Sequence, residues 1–232
     1  MKVLYITYDG LTDPLGQSQV LPYILGLYSK DHSFDIISCE KQERFKKEYS
    51  NIRKIICNTN IVWHPIKYHY KPPIFSTLFD IYRINKLAKK IYNKEHFTIV
   101  HCRSYIPALI GLGLKKKYGV KFVFDMRGFW ADERIDGKIW DIKNFIYRKI
   151  FNYFKKKEKE FFACADQIVS LTVNGKGVIE SLNLNNNKNN ITVIPCCADL
   201  KHFNLSNISI EKRNEFIHNY NKLKSFFFIT IV

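Results

Sequence analysis

The sequence predicts an α/β protein in which a parallel sheet carries helices on both faces. Three observations predict it. Short apolar runs recur along the chain and alternate with longer segments whose apolar residues return at helical spacing. The conspicuous glycines, arginines and carboxylates fall directly after the apolar runs, at what would be the carboxyl ends of parallel strands, where such sheets bind ligands. The 232 residues, 46% of them hydrophobic, suffice for one large domain or for one domain and part of another.

Lys2 to Thr7 is a short β-rich run, expected as the first strand. A loop of Gly, Asp and Pro follows from Tyr8 to Gly16. Gln17 to Ser29 reads as a helix, with Val20, Leu21, Ile24, Leu27 and Tyr28 on one face and Pro22 in its first turns, where proline is tolerated. Phe34 to Cys39 is the second expected strand, and the charged Glu40 to Tyr49 a short helix. Ile52 to Cys57 and Ile61 to Ile66 both read as strands. Ile74 to Tyr92 is amphipathic, with Leu78, Ile81, Ile84, Leu87, Ala88 and Ile91 among its apolar members. Then come a strand at Phe97 to Cys102, a helix at Ile106 to Tyr118 and a strand at Val120 to Phe124. Asp141 to Ala163 is a long helix, Gln167 to Leu171 a strand, Asn174 to Leu182 a short helix, Asn183 to Asn190 a turn and Ile191 to Ile194 a strand. The whole is a Rossmann-like, doubly wound sheet from residue 1 to about 205.

After Phe203 the character changes. Ser206 to Lys224 is polar and reads as a connecting segment and helix, and the chain closes on the apolar Phe226 to Val232. A domain seldom finishes on an unprotected strand of that kind, an edge-pairing hazard. Residues 206–232 are therefore expected to be a linker helix and the first strand of a second domain.

The formal net charge of +16, from 37 basic and 21 acidic residues, favours an anionic partner: nucleic acid, a membrane surface or a phosphorylated ligand. The six cysteines form no C-x-x-C pair and lie at no zinc-finger spacing to histidine; Cys39, Cys102 and Cys164 read as buried thiols of a reducing compartment. Cys196-Cys197 lacks partner ligands for a metal site. No opening segment reads as a signal peptide and no run is long enough to cross a bilayer, so a soluble, cytoplasmic protein is expected, with any membrane role peripheral.

The most informative stretch is Phe124-Asp125-Met126-Arg127-Gly128-Phe129-Trp130-Ala131-Asp132-Glu133-Arg134. It sets two arginines, three carboxylates and a Trp directly after an apolar strand. Loops on rigid scaffolds carry binding and catalytic groups. A salt-bridged surface turn is the plain alternative.

Four segments resemble the amino-terminal half of glycosyltransferase family 4, retaining sugar transferases of the GT-B fold. They are Val3-Leu4-Tyr5-Ile6 through Gly16; Asp125 through Arg134; Ala165-Asp166-Gln167-Ile168-Val169-Ser170-Leu171-Thr172; and Val193-Ile194-Pro195-Cys196-Cys197-Ala198-Asp199-Leu200-Lys201-His202-Phe203, which is similar to the family's segment before its second domain. The resemblance implies a domain presenting the acceptor and one wall of a cleft. It implies a nucleotide-sugar donor, a glycan or lipid-phosphate acceptor in cell-surface polysaccharide synthesis, no metal or other cofactor, and work at the inner face of an anionic membrane. Arg127 stands where many members carry His. Arg cannot act as a base, because it stays protonated, but it can hold a phosphate or carboxylate. Arg127 and Glu133 are the expected catalytic residues. Gly10, Gly16, Arg103, Asp132, Arg134 and Asn174 are the expected substrate-binding residues. For Asp132 and Glu133 the alternative is local pairing with Arg134, and for Arg103 a strand-end salt bridge. In this family the carboxyl half holds most of the donor site, so the 232-residue chain is expected to be inactive unless a carboxyl-terminal half completes it.

Two other classes are weighed. A nicotinamide-dependent oxidoreductase needs G-x-G-x-x-G after the first strand, which Asp9-Gly10-Leu11-Thr12-Asp13-Pro14-Leu15-Gly16 does not supply; Gly111-Leu112-Gly113 falls within a helix pattern. A basic, non-enzymatic nucleic-acid or anionic-surface binder is permitted by the charge, but no nucleic-acid motif is visible and the basic residues are scattered.

Overall fold

The computed structural model describes residues 1–28, 32–184, 190–197 and 208–224. They fall into two units, Met1–Cys196 and Cys197–Val232. The second contains helix α8 (Ile210–Lys224). The expected strand Phe226–Val232 and most of the expected Asn-rich turn lie outside the described residues.

The first unit is built on seven parallel strands: β1 (Lys2–Thr7), β2 (Ser33–Glu40), β3 (Ile61–Lys67), β4 (Ile99–Arg103), β5 (Lys121–Asp125), β6 (Gln167–Ser170) and β7 (Ile191–Val193). Their order is β3-β2-β1-β4-β5-β6-β7. β1 pairs in parallel with β4, and β4 in parallel with β5. Helices α1 (Leu21–Tyr28), α2 (Gln42–Ile56), α3 (Phe75–Glu95), α4 (Tyr105–Tyr118), α5 (Trp130–Asp136), α6 (Phe145–Cys164) and α7 (Val173–Ser181) supply the crossovers.

Side chains on a strand alternate between faces, and two cores result. Val3 and Tyr5 of β1 pack with Leu21 and Ile24 of α1 and Ile52 and Ile56 of α2. Leu4 and Ile6 face the other way, with Ile84 and Ala88 of α3, Ile110 and Leu112 of α4, Phe161 and Phe162 of α6 and Ile179 of α7. The sheet is thus doubly wound, as expected. The chain leaves β1 toward β2 and β3, then returns to lay β4 on β1's other side. That reversal is the topological switch point, and the crevice outside the carboxyl ends of β1 and β4 is where ligands bind in such sheets.

Three local expectations need correction. Ile52–Cys57 is not a strand but mostly the last turns of α2: Ile52 and Ile56 are buried four residues apart while Ile55 is 41% exposed. A short apolar run does not by itself distinguish helix from strand. The first helix opens as a π-helical turn, Gly16–Val20, in which the Leu21 N–H reaches the Gly16 carbonyl. Pro22 has no N–H for the Ser18 carbonyl and its ring crowds that carbonyl, which accounts for the wider turn. The stretch between the strand expected to end at Phe124 and the helix expected from Asp141 contains α5, and α6 starts only at Phe145, where the Asn144 side chain accepts from the Ile146 N–H at 2.9 Å.

Candidate functional site

Thr7, Arg103 and Asp125 are in register at the carboxyl ends of β1, β4 and β5. Arg103, 5% exposed, is held on three sides: Nε donates to Asp9 Oδ2 at 3.4 Å, Nη2 donates to Gln19 Oε1 at 2.8 Å, and Nη1 lies 3.8 Å from Asp125 Oδ2. Arg127, just past β5, donates through Nη2 to the same Gln19 oxygen at 3.0 Å and to Cys196 Sγ at 3.0 Å, and through Nη1 to Asp125 Oδ1 at 3.4 Å. One glutamine oxygen on the π-helical turn therefore gathers two guanidinium groups. Gln19 is neutral, so it fixes both cations without cancelling either.

Beneath them Asp125 is buried, with His101 Nε2 at 3.6 Å from Oδ2. The His101 ring lies against Tyr5 and Tyr23, with ring centres 4.7 and 5.7 Å away. Burial works to raise the Asp125 carboxyl, but His101, Arg127 and Arg103 outweigh it and hold its pKa below the ordinary value. Burial raises the Tyr5 and Tyr23 phenols, with Asp125 adding to it, so both stay neutral. The cluster is a clamp in which Tyr5, His101, Arg103 and Asp125 are buried in the sheet.

The glycine loop is shaped by a residue that sequence reasoning missed. Glu40, at the end of β2 and buried, accepts from Leu11 N–H at 2.8 Å, Thr12 N–H at 3.1 Å, and the Thr12 and Ser38 hydroxyls. A Cβ on Gly10 would stand 2.6 Å from Glu40 Oε2, and one on Gly16 would stand 2.0 Å from the Gly10 carbonyl oxygen. Both glycines are needed for the loop to fold onto its own carboxylate and its own backbone. No motif marks Glu40; it ends the second strand as an ordinary charged residue. Gln19 is equally unmarked.

The remaining expected residues are spread around this centre. Gly128 has φ +144, and the exposed Glu133 carboxylate lies so close over it that a Cβ there would meet Oε1 at 1.9 Å. Asp132 pairs with Lys155 at 2.7 Å, and Lys155 also reaches Glu158 at 2.6 Å, which ties α5 to α6. Arg134 lies over the Trp130 ring, 5.0 Å from its centre. Trp130 itself packs on Phe154 and Tyr105, so the aromatic among the charges anchors α5 to α4 and α6. Asn174 is exposed in the first turn of α7, whose cap is Thr172, accepting from Gly175 N–H at 2.9 Å. Gly16, Arg103, Arg127 and Glu133 all follow strands at the carboxyl end of the sheet, and Arg103 and Arg127 share the Gln19 side-chain oxygen.

Among the described residues no group of His, Cys, Asp and Glu is arranged to hold a metal ion. No helix among them is long and apolar enough to cross a membrane. Cys39 and Cys102 are buried, Cys164 is half-buried, and burial pushes the first two thiols well up, which makes them inert. A shallow pocket at the opposite end of the sheet is lined by Lys115, Lys121 and Asp166, whose charges pair with one another.

Comparison with known proteins agrees with this architecture. The family model for Glycosyltransferase Family 4 matches residues 20–202. No curated protein sequence gives a significant match. Among solved structures, a glycosyltransferase from Rickettsia africae is 20% identical over 95% of this chain and 49% of its own, with a TM-score of 0.55. Sucrose-phosphate synthase from Thermosynechococcus elongatus is 11% identical over 87% and 49%, with a TM-score of 0.56. The Anabaena protein HepE, in complex with UDP and glucose, is 8% identical over 94% and 50%, with a TM-score of 0.57. At these identities the likeness is one of fold: the amino-terminal, Rossmann-like half of GT-B proteins. The chain spans about half the length of each of these structures.

Proposed function

Because the chain belongs to glycosyltransferase family 4, we propose that it supplies the acceptor-side half of a retaining hexosyltransferase. The sugar moves from a nucleotide-sugar donor to a glycan or lipid-phosphate acceptor in cell-surface polysaccharide synthesis, on the cytoplasmic side of a membrane, without a metal. The observation that carries the reading is the pair of guanidinium groups, Arg103 and Arg127, joined by Gln19 at the switch point of the sheet. HepE, a neighbour in fold, was solved with UDP and glucose, which supports a nucleotide sugar as the donor.

The clamp divides its labour by burial. Arg103 is enclosed and paired with Asp9 and Asp125, so its part is to position. Arg127, with a side chain 20% exposed, shares Asp125 and keeps a face toward solvent. Its charge is not fully balanced locally, and it cannot lose its proton. It is suited to the negative charge that gathers on the leaving diphosphate as the glycosidic bond breaks, where a preorganised cation lowers the barrier. Glu133, exposed above Gly128, is suited to orienting an acceptor hydroxyl. On this reading Gly10 and Gly16 let the first loop lie close to the donor, and Asp132, Arg134 and Asn174 take part in binding substrate.

The chain spans about half the length of the related structures, and on this reading a second half supplies the other wall of the cleft. Holding donor and acceptor in reacting geometry accounts for roughly 7–11 kcal/mol of barrier, and one wall does not supply it. The test is a radiolabelled-sugar assay of the purified 232-residue chain against nucleotide sugars and lipid-phosphate acceptors, alone and with a family 4 donor-binding half joined to it. Transfer is expected only in the joined protein. Robust multiple turnover by the chain alone overturns the half-cleft reading.

A further inference from the structure

Asp80, in the second turn of α3, is a fully buried carboxylate that the clamp does not use. Its Oδ2 accepts from the His69 backbone N–H at 2.9 Å and from the Tyr8 hydroxyl at 3.2 Å. Its Oδ1 lies 2.6 Å from His69 Nδ1. An ionised carboxylate has no proton to give, so Nδ1 carries the proton of this contact. The ring in its neutral form then holds its lone pair on Nε2. Burying a carboxylate is costly unless donors meet it, and here the donors come from the loops after β1 and β3. The imidazole is thereby fixed in tautomer and in direction.

A tie between loop and helix needs only the backbone N–H; the ring adds an outward function. Among the described residues no hydrogen bond reaches Nε2, and the His69 side chain is 29% exposed. Aromatic rings stand around it. Phe79, itself exposed, lies edge-on to the His69 ring with centres 5.3 Å apart. Tyr70 is the exposed next residue, and the half-buried Tyr68 before it is set edge-on against Tyr8 at 5.5 Å. A hydrogen-bond acceptor among aromatic faces suits a sugar ring. One hydroxyl donates to the nitrogen, and the slightly positive C–H groups rest on the negative face of an aromatic ring. A fully ionised phosphate offers only acceptors and would set lone pair against lone pair, with the Asp80 charge behind.

The position belongs to the same end of the sheet as the clamp. The Tyr68 N–H donates to the Glu40 carbonyl at 2.9 Å, which lays the loop after β3 against the end of β2. Tyr8 is bonded to Asp80, and its neighbour Asp9 pairs with Arg103. The clamp stands on β1, β4 and β5, whereas β3 lies two strand spacings of about 4.8 Å beyond β1. A molecule that touches both Arg127 and His69 is therefore extended.

We propose that His69, oriented by Asp80, binds a hydroxyl of a sugar ring in the acceptor, one or more rings away from the ring that reacts at the clamp. The acceptor is then a glycan chain and not a bare lipid phosphate. The inference rests on the sugar-transfer reading above and names the acceptor class of that cleft. His69 is a specificity residue in it.

The test uses the 232-residue chain itself, so that sugar binding is read apart from sugar transfer. Proton–carbon NMR follows the rings of the seven histidines, with the His69 signal identified by its loss in His69→Phe. The probes are cellobiose, lactose, maltose and N,N′-diacetylchitobiose, and inorganic phosphate at matched ionic strength. At least one disaccharide is expected to shift the His69 signal saturably while phosphate leaves it in place. Binding of that disaccharide, read by saturation-transfer NMR, is expected to be at least tenfold weaker in His69→Phe, whose fold is checked by circular dichroism. Should that variant not fold, His69→Gln, which retains a donor for Asp80, identifies the signal, and hydrogen exchange of the unaltered chain replaces the binding comparison: the disaccharide is to protect amides of residues 68–71. A His69 signal moved by phosphate and by no disaccharide shows an anion subsite and overturns the proposal. So does a signal that no probe moves, a disaccharide bound equally by His69→Phe and the parent, or absence of protection at 68–71; each leaves His69 a structural tie.

Discussion

Arg103 and Arg127 are both arginines at strand ends, yet burial gives them different work. Arg103 is enclosed by Asp9, Gln19 and Asp125. Removing it leaves Asp125 buried with less compensation, which costs about 3–5 kcal/mol when a buried pair is broken. Arg103→Ala is therefore expected to lower the denaturation midpoint sharply in urea unfolding; an unchanged midpoint would show that the pairing contributes little. The arginines were legible in the sequence because an arginine directly after an apolar strand is conspicuous. Gln19 and Glu40 were not, because their roles depend on a turn and a strand end meeting across the fold: Gln19 lies 84 positions from Arg103 and 108 from Arg127, and Glu40 lies 28 from Thr12. Trp130 was legible as unusual, but its neighbours Tyr105 and Phe154 make it an anchor.

At the scale of elements the alternation of strand and helix made the parallel direction of the strands legible, since parallel neighbours need crossovers; their order, β3-β2-β1-β4-β5-β6-β7, was not. What failed was local. Ile52 and Ile56 gave an apolar run with too few residues to show its period, and Trp130–Asp136 was too short and too charged to show a helix. A glycine inside a helix illustrates what sequence alone leaves open. Gly111 of α4 has no conformational need to be glycine there, but a Cβ would lie 2.4 Å from Cys102 Sγ and 2.8 Å from the Phe122 ring. It sets how closely α4 approaches β4 and β5. Gly111→Ala gains helix propensity and loses fit; overpacking costs about 1–3 kcal/mol. The melting temperature is expected to fall. A rise would mean that α4 can shift away from the sheet without loss.

For the molecule as a whole, two carboxylates under the sheet's charge clusters link stability to pH. Burial alone would raise Asp35, but His64 at 2.6 Å and Lys2 at 3.2 Å outweigh it and depress its pKa; Asp125 is depressed in the same sense by His101, Arg127 and Arg103. A carboxyl depressed in the folded state contributes stability that is complete above the unfolded value, about 3.9, and is lost as pH falls through the folded value. Melting temperature is expected to drop on acidification from pH 5 toward pH 3, with a shallower drop in Asp35→Asn; a melting temperature that rises on acidification would contradict the linkage. The net charge of +16 adds self-repulsion as carboxylates are protonated. The central claim is that the clamp at the switch point presents Arg127 to a developing negative charge. The measurement that tests it most directly is the turnover of Arg127→Ala in this chain joined to a family 4 donor-binding half. The account expects kcat to fall by about 100-fold or more, the size of effect that follows loss of one preorganised electrostatic group, in protein that remains folded by circular dichroism. Turnover equal to that of the unaltered protein would contradict it.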